Sequence, residues 1–258
     1  MLKGNNLSLA YEDNLIIDDI DFEIEKGKIV TLIGTNGCGK STLLKALSRN
    51  LKPKKGAVYL EGKALTKIDT KILAKRMSIL PQMPSAPDDF TTRDLVSLGR
   101  YPYTGITGKL SKKDLEIVDW AIEETKIGNL QHRHVMTLSG GERQRAWIAL
   151  ALAQEPEILM LDEPTTFLDI CYQYEVLELV KRLNKDLNIT IIMVLHDLNQ
   201  AARYSHEIIV LKDKKIFKRG KPKEIINEDL LRDVFNLKAK IFHDEENDSP
   251  YFLPIGIL

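Results

Sequence analysis

A glycine-rich turn between a strand-like run and a helix-like run is the feature that most limits how this chain can fold. The run IVTLI, residues 29–33, has the apolar composition of a buried strand, and LLKALSRNL, residues 43–51, has that of a helix. Glycines allow backbone N–H groups to converge in such a turn, and the following helix adds the positive end of its dipole. We therefore predict a phosphate-binding loop, and its members are Gly34, Thr35, Asn36, Gly37, Cys38, Gly39, Lys40, Ser41 and Thr42.

Two side chains of this loop have the chemistry of a nucleoside triphosphate site. Lys40 is expected to reach the β- and γ-phosphates, and Ser41 is expected to ligate Mg²⁺. We interpret Cys38 as a small residue that the loop tolerates, although a neighbouring cation would make its thiol more reactive. Taken alone, the loop is also compatible with a flexible turn that binds nothing.

A second acidic element follows a later apolar run. In ILMLDEP, residues 158–164, Asp162 comes after four apolar residues. Asp162 is expected to hold Mg²⁺ through water, and Glu163 to polarise the attacking water. A strand that ends in an acidic turn is common in α/β folds, so the phosphate loop upstream is what favours the catalytic interpretation.

The order of apolar segments predicts an α/β fold. The central runs are continuously apolar, which is typical of a parallel sheet covered on both faces, whereas the earliest strands alternate and indicate an antiparallel side sheet. Residues 81–155 contain helical segments with no strand between them, and we interpret them as an inserted helical subdomain. The predicted strands are Leu7–Ala10, Asp21–Glu25, Ile29–Ile33, Ala57–Leu60, Ser78–Leu80, Ile158–Leu161, Ile189–Leu195, Ile208–Leu211 and Lys215–Lys218.

Two local patterns complete the expected architecture. Tyr174–Leu187 carries a stripe of Val and Leu at helical spacing and predicts an amphipathic helix. HDEENDSP, residues 243–250, is charged and rich in turn residues, so we expect a loop there.

Composition excludes several classes of protein. Lysine plus arginine equals aspartate plus glutamate at 37 each, which argues against a nucleic-acid partner, because phosphate neutralisation needs a surplus of positive charge. The two cysteines have no CxxC spacing and favour a reducing compartment. No signal peptide is visible, and the most apolar stretch, residues 189–195, is far shorter than the roughly 20 residues of a spanning helix. If the chain works at a membrane, another protein must hold it there.

A second glycine pair occurs in LSGGERQR, residues 138–145. Ser139 and Glu142 have capping-box spacing, so a plain helix start is one interpretation. Gly140 and Gly141, directly after the cap, are poor for helix stability and leave the N-terminal amides bare. This glycine-lined helix end is therefore predicted to be a second phosphate site.

With these motifs in this order, the sequence resembles the ATP-binding cassette ATPases over nearly its whole length, and LSGGERQ is similar to their signature. The resemblance implies ATP and Mg²⁺ as ligands and a P-loop NTPase (RecA-like) core with an antiparallel β side sheet and an inserted α-helical subdomain. It also implies roles for four further residues. Tyr11 would stack on adenine, and His196 would contact the γ-phosphate. Gln82 would link the Mg²⁺ and water site to the helical subdomain, and Asp169 would lie in a loop that crosses a dimer interface. Lys40, Gln82, Glu163 and His196 are thus the expected catalytic residues, and Ser41, Gln82 and Asp162 the expected metal ligands.

The same resemblance implies a domain organisation and a dimer. A single cassette is expected over residues 1–240, with its core at 1–85 and 156–220 and its helical subdomain at about 86–155, followed by a short extension at 221–258. Two copies would pair head to tail, so that Ser139, Gly140, Gly141 and Asp169 of one chain complete the ATP site of the other. A two-fold interface of this kind needs only one sequence.

Longer stretches resemble one group of importers. TTRDLVSLGRYPYTG, LDEPTTFLDICYQYEVLELV and VLHDLNQAARYS are similar to the ATPases of ferric-siderophore importers, with Phe167 where a tyrosine is expected. This resemblance implies a transmembrane permease that docks on residues 84–103, an extracytoplasmic siderophore-binding protein as an indirect partner, and a location at the cytoplasmic face of the membrane. Haem or vitamin B12 as cargo, and a soluble scaffold such as that of iron–sulfur cluster assembly, remain alternatives.

Overall fold

The structure is a computed structural model, and it describes residues 1–105 and 108–258. In chain order, its strands and α-helices are β1 (Leu2–Tyr11), β2 (Asn14–Ile24), β3 (Ile29–Gly34), α1 (Lys40–Leu47), β4 (Lys55–Leu60), β5 (Lys63–Ala64), α2 (Thr70–Arg76), β6 (Met77–Leu80), α3 (Thr92–Ser97), α4 (Lys112–Glu124), α5 (Gly140–Ala153), β7 (Ile158–Asp162), α6 (Ile170–Leu187), β8 (Thr190–Val194), α7 (Leu198–Tyr204), β9 (Glu207–Lys212), β10 (Lys215–Gly220), α8 (Pro222–Ile225), α9 (Glu228–Phe235), β11 (Leu237–Asp244) and β12 (Ser249–Ile257). Short 3₁₀ helices lie at Leu65–Lys67, Leu98–Tyr103, Gly128–Leu130 and Val135–Thr137.

These elements form two compact units. The first unit contains Met1–Lys67 and Thr190–Leu258, and the second contains Ile68–Ile189. Residues 106 and 107, which fall in the predicted helical subdomain, lie outside the described residues. The domain boundaries expected from the sequence remain a prediction.

The first unit is built on β3. This strand pairs in parallel with β8 on one side and β9 on the other, and β10 continues from β9 as an antiparallel neighbour. All residues of β3 before Gly34 are buried, as are all residues of β8. The continuous apolar runs seen in the sequence therefore do mark parallel strands with both faces covered.

A separate antiparallel sheet in the first unit has the order β2-β1-β4-β5. β1 pairs with β2 from Leu2 opposite Ile24 to Tyr11 opposite Asn14, with three irregularities along the register. The antiparallel side sheet predicted from the alternating strands is confirmed, although β1 begins at Leu2 and is longer than the predicted Leu7–Ala10.

Within its described residues, the second unit combines two parallel strands with five α-helices. β6 pairs with β7 in register from Met77 opposite Ile158 to Leu80 opposite Leu161. Between these strands the described residues form helices, turns and one isolated bridge, from Thr91 to His134, as the helix-rich sequence predicts. α6 begins at Ile170, four residues before the predicted start, and Asp169 occupies its N-cap position.

The chain end differs from the sequence prediction. The segment 243–250 was expected to be a loop, but it contains the end of β11, a turn and the start of β12, which pair as an antiparallel hairpin. The Asn199 side chain in α7 fixes this hairpin, because its Nδ2 donates to the Phe252 carbonyl and its Oδ1 accepts from the Phe252 N–H. One group of apolar side chains on the hairpin stays exposed, and we call it the hairpin surface: Phe242, Tyr251, Leu253, Ile255 and Ile257.

No helix in the two described ranges is long and apolar enough to cross a membrane.

Candidate active site

The glycines of the predicted phosphate loop adopt backbone conformations that other residues reach only with strain. Gly34, Gly37 and Gly39 have φ angles of 147°, 77° and 104°. A Cβ atom on Gly34 would lie 2.3 Å from the carbonyl oxygen of Leu211 in β9. Glycine at position 34 therefore lets the loop turn away from β3 directly beside β9.

Lys40 places its ammonium group within the loop. It is the first residue of α1 and only 5% exposed, and its Nζ donates to the carbonyl oxygens of Gly34 and Thr35, each at 3.0 Å. α1 starts after Gly39, which offers no side chain to cap the first N–H groups of the helix. A fixed cation beside uncapped helix N–H groups fits the phosphates of a nucleotide.

Cys38 is a half-buried thiol in the same loop. Burial raises the pKa of Cys38, and the nearby positive charge of Lys40 only partly opposes this effect. The thiol therefore stays protonated at neutral pH, which agrees with the interpretation of Cys38 as a small neutral residue of the loop.

His196 emerges at the same sheet edge as the loop. β3 and β8 run parallel with Leu32 opposite Val194, so two residues further along each strand lie Gly34 and His196. The Leu195 N–H donates to the Leu32 carbonyl and continues this pairing past the end of β8. His196 itself is exposed. The parallel register thus brings the histidine to the carboxyl end of the strand that carries the phosphate loop.

Tyr11 lies at the turn between β1 and β2 and is half exposed. Just beyond this turn, the side chains of Ile16 and Ile17 pack at Gly39, where a Cβ atom would lie 3.0 Å from each. The strand that follows Tyr11 therefore passes the start of α1. An exposed aromatic ring at this turn is available for stacking.

In the second unit, the ends of β6 and β7 carry a polar pair. Because Leu80 is opposite Leu161, Gln82 and Glu163 lie at equivalent positions two residues further on. Gln82 Nε2 donates to Glu163 Oε2 at 2.5 Å, and Thr166 Oγ1 donates to the same oxygen at 3.1 Å. Asp162, at the end of β7, is 6% exposed. Two hydrogen bonds thus orient the Glu163 carboxylate.

Sequence reasoning did not identify Thr166. Its spacing, three residues after Glu163 and beyond a proline, is a signal for a turn in which a hydroxyl faces back to the carboxylate. Glu163 itself has a left-handed φ of 53°, which is uncommon for a residue with a side chain. Such a conformation is found at sites where surrounding contacts hold the backbone in place.

The predicted signature forms the start of α5. Ser139 and Glu142 make a reciprocal capping box: Glu142 N–H donates to Ser139 Oγ at 3.3 Å, and Ser139 N–H donates to Glu142 Oε2 at 2.9 Å. The bond from the Ser139 backbone lowers the pKa of Glu142, so the carboxylate is ionised at neutral pH. Gly140 is exposed, while a Cβ atom on Gly141 would lie 2.5 Å from the Tyr172 ring. Gly141 therefore allows α6 to pack closely on the signature.

Asp169 and its neighbours form an exposed loop beside these glycines. A Cβ atom on Gly140 would lie 3.1 Å from the Leu168 side chain. Asp169 caps α6 by position but makes no side-chain capping bond, and its carboxylate is exposed. Phe167 is 86% exposed and Ile170 is 71% exposed. Large apolar side chains displayed beside polar ones are typical of a protein interface.

The predicted site residues therefore form two groups. The first unit brings the phosphate loop, Tyr11 and His196 to neighbouring elements. The second unit brings Gln82 and Glu163 into contact and places Asp169 in the loop next to the signature glycines. Side chains of these kinds are those of a nucleotide-binding ATPase of α/β architecture.

The family is established by comparison with known proteins. The model of the ABC transporter family matches residues 17–166, which is more than half of the chain. The chain belongs to this family, and it is one of its ATP-binding, ATP-hydrolysing cassettes.

Individual relatives extend this assignment over the full length. The iron(3+)-hydroxamate import ATP-binding protein FhuC of Bacillus subtilis is 48% identical over 257 residues, which cover 100% of this chain and 96% of the relative. The ferric enterobactin transport ATP-binding protein FepC of Escherichia coli is 43% identical over 255 residues, which cover 99% and 94%.

Solved structures agree with the fold. An inward-facing ABC transporter of the metal-chelate type matches with a TM-score of 0.86 and 28% identity, over 99% of this chain and 97% of that one. The ATP-binding cassette MJ0796, solved as a dimer in a post-hydrolysis state bound to ADP and Pi, matches with a TM-score of 0.75 and 28% identity, over 86% and 98%. The α/β cassette fold predicted from the sequence is confirmed.

Proposed function

We propose that this chain is the ATP-hydrolysing subunit of a bacterial ABC importer that takes up ferric siderophores through separate permease subunits. The observation that carries the proposal is full-length identity of 43% to 49% with ATP-binding proteins for iron(3+)-hydroxamate, siderophore, petrobactin, achromobactin and enterobactin transport. These relatives favour an importer over the alternative of a cassette that serves a soluble scaffold. The chain would work at the cytoplasmic face of the membrane, where the permease holds it.

The residues of the first unit suit the binding half of the reaction. The uncapped start of α1 and the Lys40 ammonium group would hold the β- and γ-phosphates, and the half-exposed ring of Tyr11 would stack on the adenine. His196, at the carboxyl end of the neighbouring strand, would contact the γ-phosphate. Phosphoryl transfer depends mainly on such positioning and charge stabilisation.

The residues of the second unit suit the hydrolytic half. The Glu163 carboxylate, oriented by Gln82 and Thr166, would accept a proton from the attacking water. Mg²⁺, when bound, supplies positive charge that screens the phosphates, and Ser41, Asp162 and Gln82 are the residues that would hold it.

A second copy of the chain would complete each site. Ser139, Gly140 and Gly141 present a helix N-terminus, and the neighbouring loop exposes Phe167 and Asp169. In the dimer, these groups would contact the nucleotide held by the other copy, so ATP joins the two chains and hydrolysis releases them. Such an arrangement is isologous and requires one sequence only.

The catalytic assignment is tested by Glu163→Gln, which removes the proton acceptor and keeps the side-chain size. We expect the rate of ATP hydrolysis to fall about 10²- to 10⁴-fold while ATP binding persists, because a general base contributes about that much. Rates are measured by phosphate release, and binding by fluorescence of a nucleotide analogue. Glu116→Gln, the same change at an exposed position of α4, is the matched control and should hydrolyse ATP as the wild type does. A Glu163→Gln rate within twofold of the wild type contradicts the assignment.

The importer assignment is tested by purifying tagged Glu163→Gln in mild detergent from its own cells, with ATP and Mg²⁺ present. The expected result is recovery of a polytopic permease, which then identifies the cargo through uptake of a radiolabelled ferric hydroxamate siderophore. Lys40→Ala, which loses the ammonium group of the phosphate loop, should lose the ATP dependence of this recovery. Recovery of only water-soluble scaffold proteins would contradict the importer proposal and would not affect the ATPase assignment.

A further inference from the structure

The C-terminal end of α5 is held by residues that precede it by about fifty positions. Arg100 lies in the 3₁₀ helix Leu98–Tyr103, and its side chain is 3% exposed. Its Nη1 donates to the Ala153 carbonyl at 2.7 Å, and the Tyr103 hydroxyl donates to the Gln154 carbonyl at 2.9 Å. The last carbonyls of a helix have no partner within the helix, so these two side chains act as its C-terminal cap.

Charge reinforces this cap. Arg100 Nε donates to Asp114 Oδ1 at 3.0 Å, and Nη1 also donates to Glu155 Oε2 at 2.8 Å. A guanidinium group at a helix C-terminus is favoured by the negative end of the helix dipole. The Arg100 guanidinium group is buried and has partners on α4 and beyond the end of α5. A shift of Arg100 would therefore move these elements with it.

The Tyr103 ring connects the cap to a further helix. The Arg100 guanidinium carbon lies 3.7 Å from the ring centroid, and Lys75 Nζ of α2 lies 4.5 Å from it. Burial raises the pKa of the Tyr103 hydroxyl, which therefore remains a donor at neutral pH. One tyrosine thus links the 3₁₀ helix, the end of α5 and α2.

Gln154 extends these contacts to β6, the strand that leads into Gln82. Gln154 Nε2 donates to the Ala74 carbonyl at 3.3 Å, and Ser78 Oγ in β6 donates to Gln154 Oε1. The end of α5 is therefore tied both to the strand before Gln82 and to the segment after it. At its opposite end, α5 begins with the signature Ser139-Gly140-Gly141, roughly 20 Å away at 1.5 Å per residue.

We infer that Arg100 and Tyr103 are positioning residues, which transmit displacement of the segment 84–103 to the signature helix α5. The inference rests on the proposed function and on the sequence resemblance, which implies that the permease docks on this segment. α5 is a continuous helix whose C-terminal end is held by side chains of that segment, so a movement of the segment reorients the helix as a rigid rod. The signature glycines at the far end of the helix then move toward or away from the nucleotide of the other copy.

The test uses the chain in complex with the permease recovered with it, reconstituted in lipid vesicles. The quantity measured is the number of ATP molecules hydrolysed for each radiolabelled ferric hydroxamate siderophore transported. Tyr103→Phe removes only the hydroxyl that holds the Gln154 carbonyl. We expect this number to rise roughly 2- to 10-fold, because the loss of one hydrogen bond changes an equilibrium constant by about that factor.

Tyr251→Phe is the matched control, because it removes the same atom from an exposed tyrosine of β12, which lies outside the segment 84–103. It should leave the ATP-to-siderophore ratio at the wild-type value. Arg100→Lys keeps the charge but loses the planar fork that reaches several partners, so its ratio should rise at least as far as that of Tyr103→Phe. The melting temperature of each variant is measured in parallel, because a merely structural role changes that temperature and leaves the ratio untouched.

The possible outcomes distinguish the positioning role from the proposed function. A raised ratio for Tyr103→Phe together with an unchanged one for Tyr251→Phe supports the positioning role. An unchanged ratio for Tyr103→Phe in a complex whose wild type transports overturns the inference and leaves the importer standing. A wild-type complex that hydrolyses ATP without transporting any ferric siderophore refutes the proposed function, and the inference falls with it.

Discussion

At the scale of single residues, the absence of a side chain at Gly99 matters as much as the groups around it. A Cβ atom at this position would lie 2.3 Å from the Leu150 carbonyl oxygen and 2.8 Å from the Ala153 Cβ. The 3₁₀ helix that carries Arg100 therefore packs against α5 at backbone distance. This close approach brings Arg100 and Tyr103 within reach of the last carbonyls of α5.

Gly99→Ala is expected to destabilise the chain by about 1–3 kcal/mol, because the added methyl group forces two packed helices apart. Urea unfolding measures this loss as a lower midpoint. Gly105→Ala is the matched control, since a Cβ atom there meets nothing within 4 Å and should leave the midpoint within error. Equal midpoints for the two variants would contradict this prediction and would show that α5 can move to accommodate the added methyl group.

Residue patterns predicted the phosphate loop but not its internal contacts. The spacing of Gly34, Gly39 and Lys40 indicates a phosphate site, because few other uses need that combination. That the Lys40 ammonium group donates to the Gly34 and Thr35 carbonyls depends on the curvature of the folded loop, which spacing does not report. The contact between Thr166 and Glu163 is of the same kind, since it depends on the turn after β7.

At the scale of elements, three helices of the second unit begin with the same reciprocal cap. Thr91 with Asp94 starts α3, Ser111 with Asp114 starts α4, and Ser139 with Glu142 starts α5. In α4, the Ser111 hydroxyl and, to a smaller extent, the Arg100 guanidinium group lower the pKa of Asp114. Stability that depends on such a lowered pKa is present above the unfolded value, near 3.9 for Asp, and is lost as the pH falls through the lower folded value.

Ser111→Ala is therefore expected to cost about 1 kcal/mol of stability at pH 6 and above, the usual value of an N-cap. As the pH falls from about 4 toward the lowered folded pKa of Asp114, the difference in stability from the wild type should narrow, because the wild type progressively loses the stability that the Ser111 hydrogen bonds give to the charged carboxylate. Chemical unfolding at a series of pH values measures the gap. Ser85→Ala, at an exposed position, controls for the loss of a hydroxyl and should show no gap at any pH. A gap for Ser111→Ala that stays constant down to pH 3 would contradict the role of the Asp114 charge.

Elements with a strong pattern were predictable, and those with mixed patterns were not. β3 and β8 are continuous apolar runs, so both were identified to within a residue or two. The hairpin of β11 and β12 was missed although β11 alternates lysines with apolar residues. The charged and turn-forming residues 243–250 predict a loop, and β12 contains Pro250 and Pro254, which usually argue against a strand. Its stability comes from pairing along the register and from Asn199, a long-range contact that no local pattern indicates.

At the scale of the whole molecule, the order of motifs along the chain carried most of the predictive value. The phosphate loop, the signature, the acidic strand end and His196 are spread over residues 34–196, yet each lies at a strand or helix end. This order resembles that of the ATP-binding cassette ATPases, and the resemblance, together with the continuously apolar runs, predicted an α/β cassette before any contact was known. The contacts among Arg100, Tyr103 and Gln154 were not predicted, because polar residues in a helix-rich segment have many possible partners.

The hairpin surface has a consequence for how the isolated protein behaves in concentrated solution. Phe242 and Tyr251 stack with their ring centroids 5.4 Å apart, and Leu253 lies exposed beside them. At pH 7 the formal net charge is zero, so no long-range repulsion keeps these apolar surfaces apart. Colloidal instability is then greatest near neutral pH.

Light scattering of the purified chain should therefore peak near pH 7 and fall by about pH 9, where the chain carries net negative charge. Leu253→Lys should lower the scattering at pH 7 more than Leu115→Lys, which adds the same charge at an exposed position of α4. Equal effects of the two substitutions would show that the scattering depends on net charge alone. A larger effect at Leu253 would make the hairpin surface the adhesive patch, and the concentration at which this ATPase can be handled alone would be set at the far end of the chain from its phosphate loop.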